Sequence, residues 1–357
     1  MSDDDAALGR LQRARALMDL GRPEQALPLL AEALAEQPGN VDAWCVMARC
    51  HYAQHDYREA LHAADQALAH KPDQVVAWRF RTLALIELEQ WEPAWAAAGE
   101  SVRLDPHHWY GHMLVAKVLL ANTAGYFHSA VAQQAAFRAR ELAPHEPDTH
   151  FILGRVAERS GHRPEAEECY REALRLDPEH RAARNQLALL QMQRGDNYGA
   201  AQGFAAVAAA DQSTSGLGVH NLRVVTVRLI APARWISIAC FLLVNVMVQA
   251  QGQTDWTARG ICLGVVVLAW GGWLLWAVRQ VPAQLRRPLL LSARRSRYVG
   301  YSLLGVSALT IAALALLSVP ALAGVATVVL VAGIVAQALA LQAARRSVEQ
   351  DKAALRG

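Results

Sequence analysis

Residues 41–74 read VDAWCVMARCHYAQHDYREALHAADQALAHKPDQ, and residues 151–178 read FILGRVAERSGHRPEAEECYREALRLDP. Each is predicted as a helix, a turn and a second helix that stops near a proline (Pro72, Pro178). The proline ring and its missing N–H do not continue a helical ladder. Outward from these two stretches, Pro38, Pro72 and Pro106 lie 34 residues apart, and Pro144 and Pro178 repeat that interval after one step of 38. Ala26, Ala60, Ala94, Ala132, Ala166 and Ala200 keep the same beat. A fixed period of this length marks one helical hairpin copied along the chain. The copies run 7–40, 41–74, 75–108, 109–146, 147–180 and 181–214. A single hairpin cannot bury its apolar face alone, so the copies stack into a solenoid whose usual product is a binding surface. A binding or scaffolding protein is expected, not an enzyme.

Within each copy, small residues recur where two helices must approach closely. The eighth positions are Ala14, Ala48, Thr82, Ala116, Gly154 and Ala188; the twenty-seventh are Ala33, Ala67, Ser101, Ala139, Ala173 and Val207. The six alanines of the main beat hold the twentieth, and Trp44, Trp78, Leu153, Tyr170 and Phe204 fill the gaps. This packing code resembles that of the tetratricopeptide repeat (TPR) family over residues 7–214. The resemblance implies an all-α fold, a right-handed TPR α-solenoid of six helical hairpins. The first copy departs with Arg10 where the motif favours Trp, and the sixth lacks its closing proline. The fourth carries four extra residues around Asn122–Gly125, which are expected in the turn of that hairpin.

Positions 4, 7, 8 and 11 of each first helix share one side of a 3.6-residue wheel and are expected in the core. Positions 2, 5, 9 and 12 form the adjoining stripe, which the TPR resemblance implies lines a concave groove. The ninth position reads Arg15, Arg49, Leu83, Lys117, Arg155 and Leu189, and Arg79, Phe151, Tyr52 and Tyr110 fall on the same stripe. The expected groove is therefore Arg15, Arg49, Tyr52, Arg79, Tyr110, Lys117, Phe151 and Arg155. Its expected partner is an acidic protein or peptide segment, held by charge-assisted hydrogen bonds and aromatic anchors. The competing reading makes these solvated side chains, some paired with repeat carboxylates such as Glu158. The carboxylate clamp of chaperone-binding TPR domains needs Lys and Asn where this chain has Leu11 and Arg15, so that activity is not carried over.

Nothing in the sequence calls for a cofactor or a catalytic centre. The pairs His51/His55 and His108/His112 stand one helical turn apart, a metal-binding spacing only if further ligands converge. His112 and His150 hold the motif's fourth position, where half-buried aromatics pack, so a structural role is favoured. Five cysteines without a CxxC spacing indicate neither a disulfide framework nor a zinc site. No phosphate-binding glycine loop, nucleophile elbow or HExxH is present.

Charge divides the chain. Residues 1–220 hold 21 Lys+Arg and 29 Asp+Glu (−8), and 221–357 hold 14 and 3 (+11). The basic half is no nucleic-acid patch, because its arginines lie between long apolar runs. A helix needs about 20 apolar residues to cross a bilayer. After a polar linker over 215–228, four spans are expected at about 230–250, 260–278, 299–318 and 322–343 within a 229–343 transmembrane domain. A tail follows at 344–357. Thirteen Lys/Arg fall on one side of these spans against only Arg259 on the other. The positive-inside rule then places both termini in the cytoplasm, at a bacterial inner membrane. The small residues of the spans suit close packing or a homo-oligomer. The sequence reading is a four-helix transmembrane bundle anchoring an interaction scaffold, with a small transporter or membrane-enzyme subunit as the alternative.

Overall fold

The computed structural model describes residues 3–122, 128–210, 215–250 and 256–281, together with part of 306–342. All regular secondary structure among the described residues is helical. The chain forms two compact units, Met1–His180 and Arg181–Gly357. The first holds five hairpins: α1 (Asp3–Asp19) with α2 (Pro23–Glu36), α3 (Val41–Ala53) with α4 (Tyr57–His70), α5 (Val75–Glu87) with α6 (Trp91–Leu104), α7 (Trp109–Ala121) with α8 (Ser129–Leu142), and α9 (Pro147–Arg159) with α10 (Arg163–Leu176).

The spacing of small residues is what lets these helices close on each other. Ala14, Ala48, Thr82 and Ala116 at the eighth position, the alanines at the twentieth and Ala33, Ala67, Ser101, Ala139 and Ala173 at the twenty-seventh are all fully buried. Larger side chains such as Leu30, Leu85 and Leu114 fill the layers between them. Removing one such side chain from water is worth roughly 1.5–3 kcal/mol. The fifth hairpin exchanges sizes across one contact: it has Gly154 at the eighth position and the fully buried Tyr170 opposite. A Cβ added at Gly154 would stand 2.6 Å from the Tyr170 ring.

Two local devices recur with the repeat. In the first, second, third and fifth hairpins the turn takes a left-handed residue at the fifteenth position: Gly21 and Gly161 supply it freely, while His55 (φ 64°) and Glu89 (φ 57°) adopt it at a steric cost. In repeats two to five the fourth-position ring ties the repeat to the proline before it. Trp44 and Trp78 donate their indole N–H to the Pro38 and Pro72 carbonyls at 2.8 Å. His112 and His150 stand in for tryptophan, their Nε2 donating to the Pro106 and Pro144 carbonyls at 3.0 and 2.9 Å. This is the structural role expected of those histidines. Among the described residues no group of three His, Cys, Asp or Glu is placed to hold a metal ion.

The four extra residues of the fourth hairpin fall between its helices, in a connection spanning 122–128 where the third hairpin uses only 88–90. Residues 123–127 lie outside the described set. At the start of this connection Arg159, from the end of α9, donates to the carbonyls of Leu119 at 3.2 Å and Asn122 at 2.9 Å, and to that of Leu120. The last carbonyls of a helix have no partner within it, and a guanidinium fork with its positive charge satisfies them.

The second unit contains the sixth hairpin, α11 (Arg181–Gln193) with α12 (Asn197–Ala210), then α13 (Ser215–Ala250) and α14 (Trp256–Arg279). The division at His180 thus groups the sixth hairpin with the C-terminal helices. Ala188, Met192, Ala201 and Phe204 of the hairpin share a core with Val225 of α13. The stretch 215–228, expected as a linker, is the first part of α13; no proline interrupts it before Pro232. Cys240, Phe241 and Val244 of α13 pack with Val266 of α14 and with Leu309 and Ala313.

A four-helix transmembrane bundle is not shown. Among the described residues one helix is long and apolar enough to cross a membrane, Arg259–Arg279, with a mean hydropathy of 2.2. The first expected span corresponds to the shorter apolar stretch Pro232–Val248. The third and fourth, at 299–318 and 322–343, lie largely outside the described residues.

Candidate peptide-binding groove

Successive first helices of the first unit pack on one another, α1 on α3, α3 on α5, α5 on α7 and α7 on α9. This brings the stripe at positions 2, 5, 9 and 12 of neighbouring repeats side by side, and all eight expected groove residues lie on it. Their charges are not equally available. Arg15 pairs with Asp42 at 2.8 Å, Arg49 with Asp19 at 3.2 Å, and Arg79 with Asp105 at 3.1 Å. In these three the competing reading, pairing with repeat carboxylates, describes the geometry. Glu158 is engaged differently: it accepts the Tyr170 hydroxyl at 2.7 Å.

Lys117 and Arg155 are different. Among the described residues neither has a carboxylate oxygen within 4.0 Å. Arg155 lies over the Phe151 ring, 5.9 Å from its centroid. Lys117 is half-buried on α7, and burial pulls its ammonium below the ordinary lysine range, against the opposing fields of Glu87 and Asp148. A desolvated cation flanked by two more distant carboxylates gains most from a hydrogen-bond acceptor brought to it.

Aromatic rings wall the same region. Tyr52 donates its hydroxyl to Glu87 at 3.3 Å and packs against Tyr57, ring centroids 5.6 Å apart. Burial first, then Glu87, pushes the Tyr52 phenol up. Tyr110 lies beneath the Arg79 guanidinium at 5.5 Å. Its phenol is also raised, by burial and then by Asp148, with Arg79 opposing. Phe151 stands 5.2 Å from the His180 ring, and His180 bonds Asp148 through Nε2 at 3.0 Å. That hydrogen bond raises the His180 pKa above its ordinary value.

Tyr52, Arg79, Tyr110, Lys117, Phe151 and Arg155 therefore belong to one continuous wall over repeats two to five, and Arg15 and Arg49 extend the stripe toward the N-terminus. Glu87, Asp105, Asp148 and His180 belong to it too, and sequence reasoning missed them. Asp148 was within reach, since it holds the stripe's second position in the fifth copy, as Asp42 does in the second. Glu87 holds the thirteenth position, outside the stripe as drawn. As a surface the groove can exchange ion pairs, accept and donate hydrogen bonds, and stack rings.

Models of the tetratricopeptide repeat match residues 17–84 and 147–180. The chain is 28% identical over 215 residues to tetratricopeptide repeat protein 34 of Homo sapiens, covering 59% of this chain and 35% of that protein. It is 24% identical over 159 residues to anaphase-promoting complex subunit 3 of Schizosaccharomyces pombe, covering 44% of this chain and 23% of that protein. The chain thus spans 35% and 23% of the length of these curated relatives. Among solved structures, the APC/C hetero-tetramer Cut9-Hcn1 superposes with a TM-score of 0.51 at 14% identity, over 58% of this chain and 40% of that one. That last likeness concerns the fold alone. Residues 17–84 and 147–180 thus carry tetratricopeptide repeats, and the first unit has the fold of a helical-repeat solenoid.

Proposed function

We propose that this chain is a membrane-anchored interaction scaffold whose groove takes a segment of a partner protein, with an acidic side chain of that segment on Lys117 and Arg155. The observation that carries the reading is the uneven use of charge: three arginines of the stripe are already paired, while among the described residues the half-buried Lys117 and Arg155, the latter over the Phe151 ring, have no carboxylate oxygen within 4.0 Å. A segment with one or two carboxylates and a large apolar side chain fits this better than a uniformly acidic one, because Glu87 and Asp148 repel further negative charge.

Membrane anchoring rests on α14, whose apolar side chains face outward: Leu268 is 76% and Leu275 63% exposed. An uncovered surface of that kind is unfavourable in water and is suited to lipid. In this reading the remaining expected spans complete the anchor, and the excess of arginine on one side keeps both termini in the cytoplasm of a bacterium.

The test uses the full chain in lipid nanodiscs and a library of labelled twelve-residue peptides combining Glu or Asp with Leu or Phe, read by fluorescence anisotropy. The double variant Lys117→Glu/Arg155→Glu is expected to weaken binding by about a hundredfold, two charge-assisted contacts at roughly 1.5 kcal/mol each. Arg15→Glu is expected to change it little. Peptide binding indifferent to the double variant, or equally sensitive to Arg15→Glu, overturns the assignment.

A further inference from the structure

The first unit carries a second surface that the groove does not use. Between α6 and α8, on the second helices of the third and fourth repeats, lies an open furrow of about 830 Å³. Trp95, Val131 and Phe137 line it and are 43%, 41% and 37% exposed. The repeat fold does not require apolar residues there. At the nineteenth position, where the fourth repeat has Val131, the second and fifth have Glu59 and Glu165, both exposed. At the twenty-fifth, where the fourth has Phe137 and the third Gly99, those copies have the exposed Asp65 and Arg171. Solvent-facing positions that are charged in the second and fifth copies are apolar or vacant in the third and fourth.

We propose that this furrow is a self-association face, where a second copy of the chain docks across a two-fold axis. A two-fold contact needs projection and recess on the same face, because each must meet its counterpart. Both are present: Trp95 projects from α6, and one turn further along, Gly99 leaves a hollow in which a Cβ would meet nothing within 4 Å. Val102 and Val115 line the same furrow and give that hollow an apolar surface. In the dimer each indole fills the hollow of the other copy, a buried aromatic anchor of the kind that dominates interface energetics.

Charge selects a second copy over a charged partner. Residues 1–220 have a net charge of −8, so two copies repel over most of their surface. In this furrow the two charged residues neutralise each other, Arg138 pairing with Glu141 at 3.1 Å. On α6 Arg103 likewise pairs with Glu100 at 2.9 Å. His112 is engaged with the Pro106 carbonyl. A charged ligand finds little there to pair with, whereas two such faces meet without repulsion and exclude water from five apolar side chains on each side.

The experiment uses the full chain in detergent micelles, with mass by light scattering and dissociation by energy transfer between two labelled pools. A concentration-dependent dimer is expected. Gly99→Gln fills the hollow and replaces a helical glycine, so the fold is expected to hold, which a thermal melt checks; Trp95→Ala removes the projection. Each is expected to weaken the dimer about tenfold or more, and Lys117→Glu, in the groove, to leave it unchanged. A monomer at every accessible concentration overturns the proposal. So does a dimer that dissociates identically in the wild type, Gly99→Gln and Trp95→Ala, as one held by the membrane helices would.

Discussion

Gly154 and Tyr170 illustrate how single residues set the terms of packing. Four of the other repeats place alanine at the eighth position and one threonine, and the helices approach to a distance that suits them. In the fifth, Tyr170 takes the extra volume and the glycine gives it up. Gly154→Ala should therefore destabilise the first unit. Overpacking a filled site costs roughly 1–3 kcal/mol, more than the 0.5–1 kcal/mol or so returned by removing a helical glycine. A lower denaturant midpoint with an unchanged slope is the expected result, and an increase would show that the ring moves aside freely. The histidines at the fourth position show a related economy. His112 and His150 reproduce the tryptophan hydrogen bond to the preceding proline carbonyl with a smaller ring. That these histidines hold a structural position was legible in the sequence from their place in the repeat; the hydrogen bond itself was not. The pairing of Arg15, Arg49 and Arg79 was not, because whether two side chains on different repeats meet depends on rotamers and helix offsets that the period leaves open.

At the scale of elements, the fourth hairpin is the exception to the beat. Its helices obey the same spacing, and the added residues sit in the connection, as their place in the sequence implies. The sequence carried no sign of what happens at the end of α7, where carbonyls meet the guanidinium of Arg159 from the next repeat. Arg159→Ala is expected to cost the first unit roughly 1.5–3 kcal/mol, the range for hydrogen bonds to a charged group. Arg159→Lys should recover only part of it, since one ammonium cannot reproduce the planar fork. Hydrogen exchange at the last turn of α7 separates this from a general loss of stability: protection should fall there first. At the other end of the chain, α13 shows an element longer than its apolar segment. The stretch 215–228 contains no proline to stop the helix, and α13 packs against α12, with Val225 sharing a core with the sixth hairpin.

For the whole molecule, the decisive contrast is between a first unit whose core is built of buried alanines and leucines and an α14 that exposes most of its leucines and valines. Under the proposed anchoring, Leu268→Arg places a charge near the middle of a bilayer helix and is expected to cost roughly 2.5–3.5 kcal/mol on insertion. The fraction of the chain resisting alkaline extraction from membranes should drop. An unchanged fraction, or a wild-type chain fully released by alkali, overturns the anchoring. The helical repeat, its phase, the buried faces and the residues on the groove stripe were determined by the sequence itself, since a 34-residue period and a 3.6-residue turn together fix which side chains face inward. Which of those charges are free was decided only by the tertiary structure. Lys117 and Arg155 share the stripe with Arg15, Arg49 and Arg79 and differ from them in that, among the described residues, no carboxylate from another part of the fold lies within 4 Å. The furrow of Trp95 and Gly99 arises in the same way, from neighbouring second helices whose side chains meet in space and not in sequence.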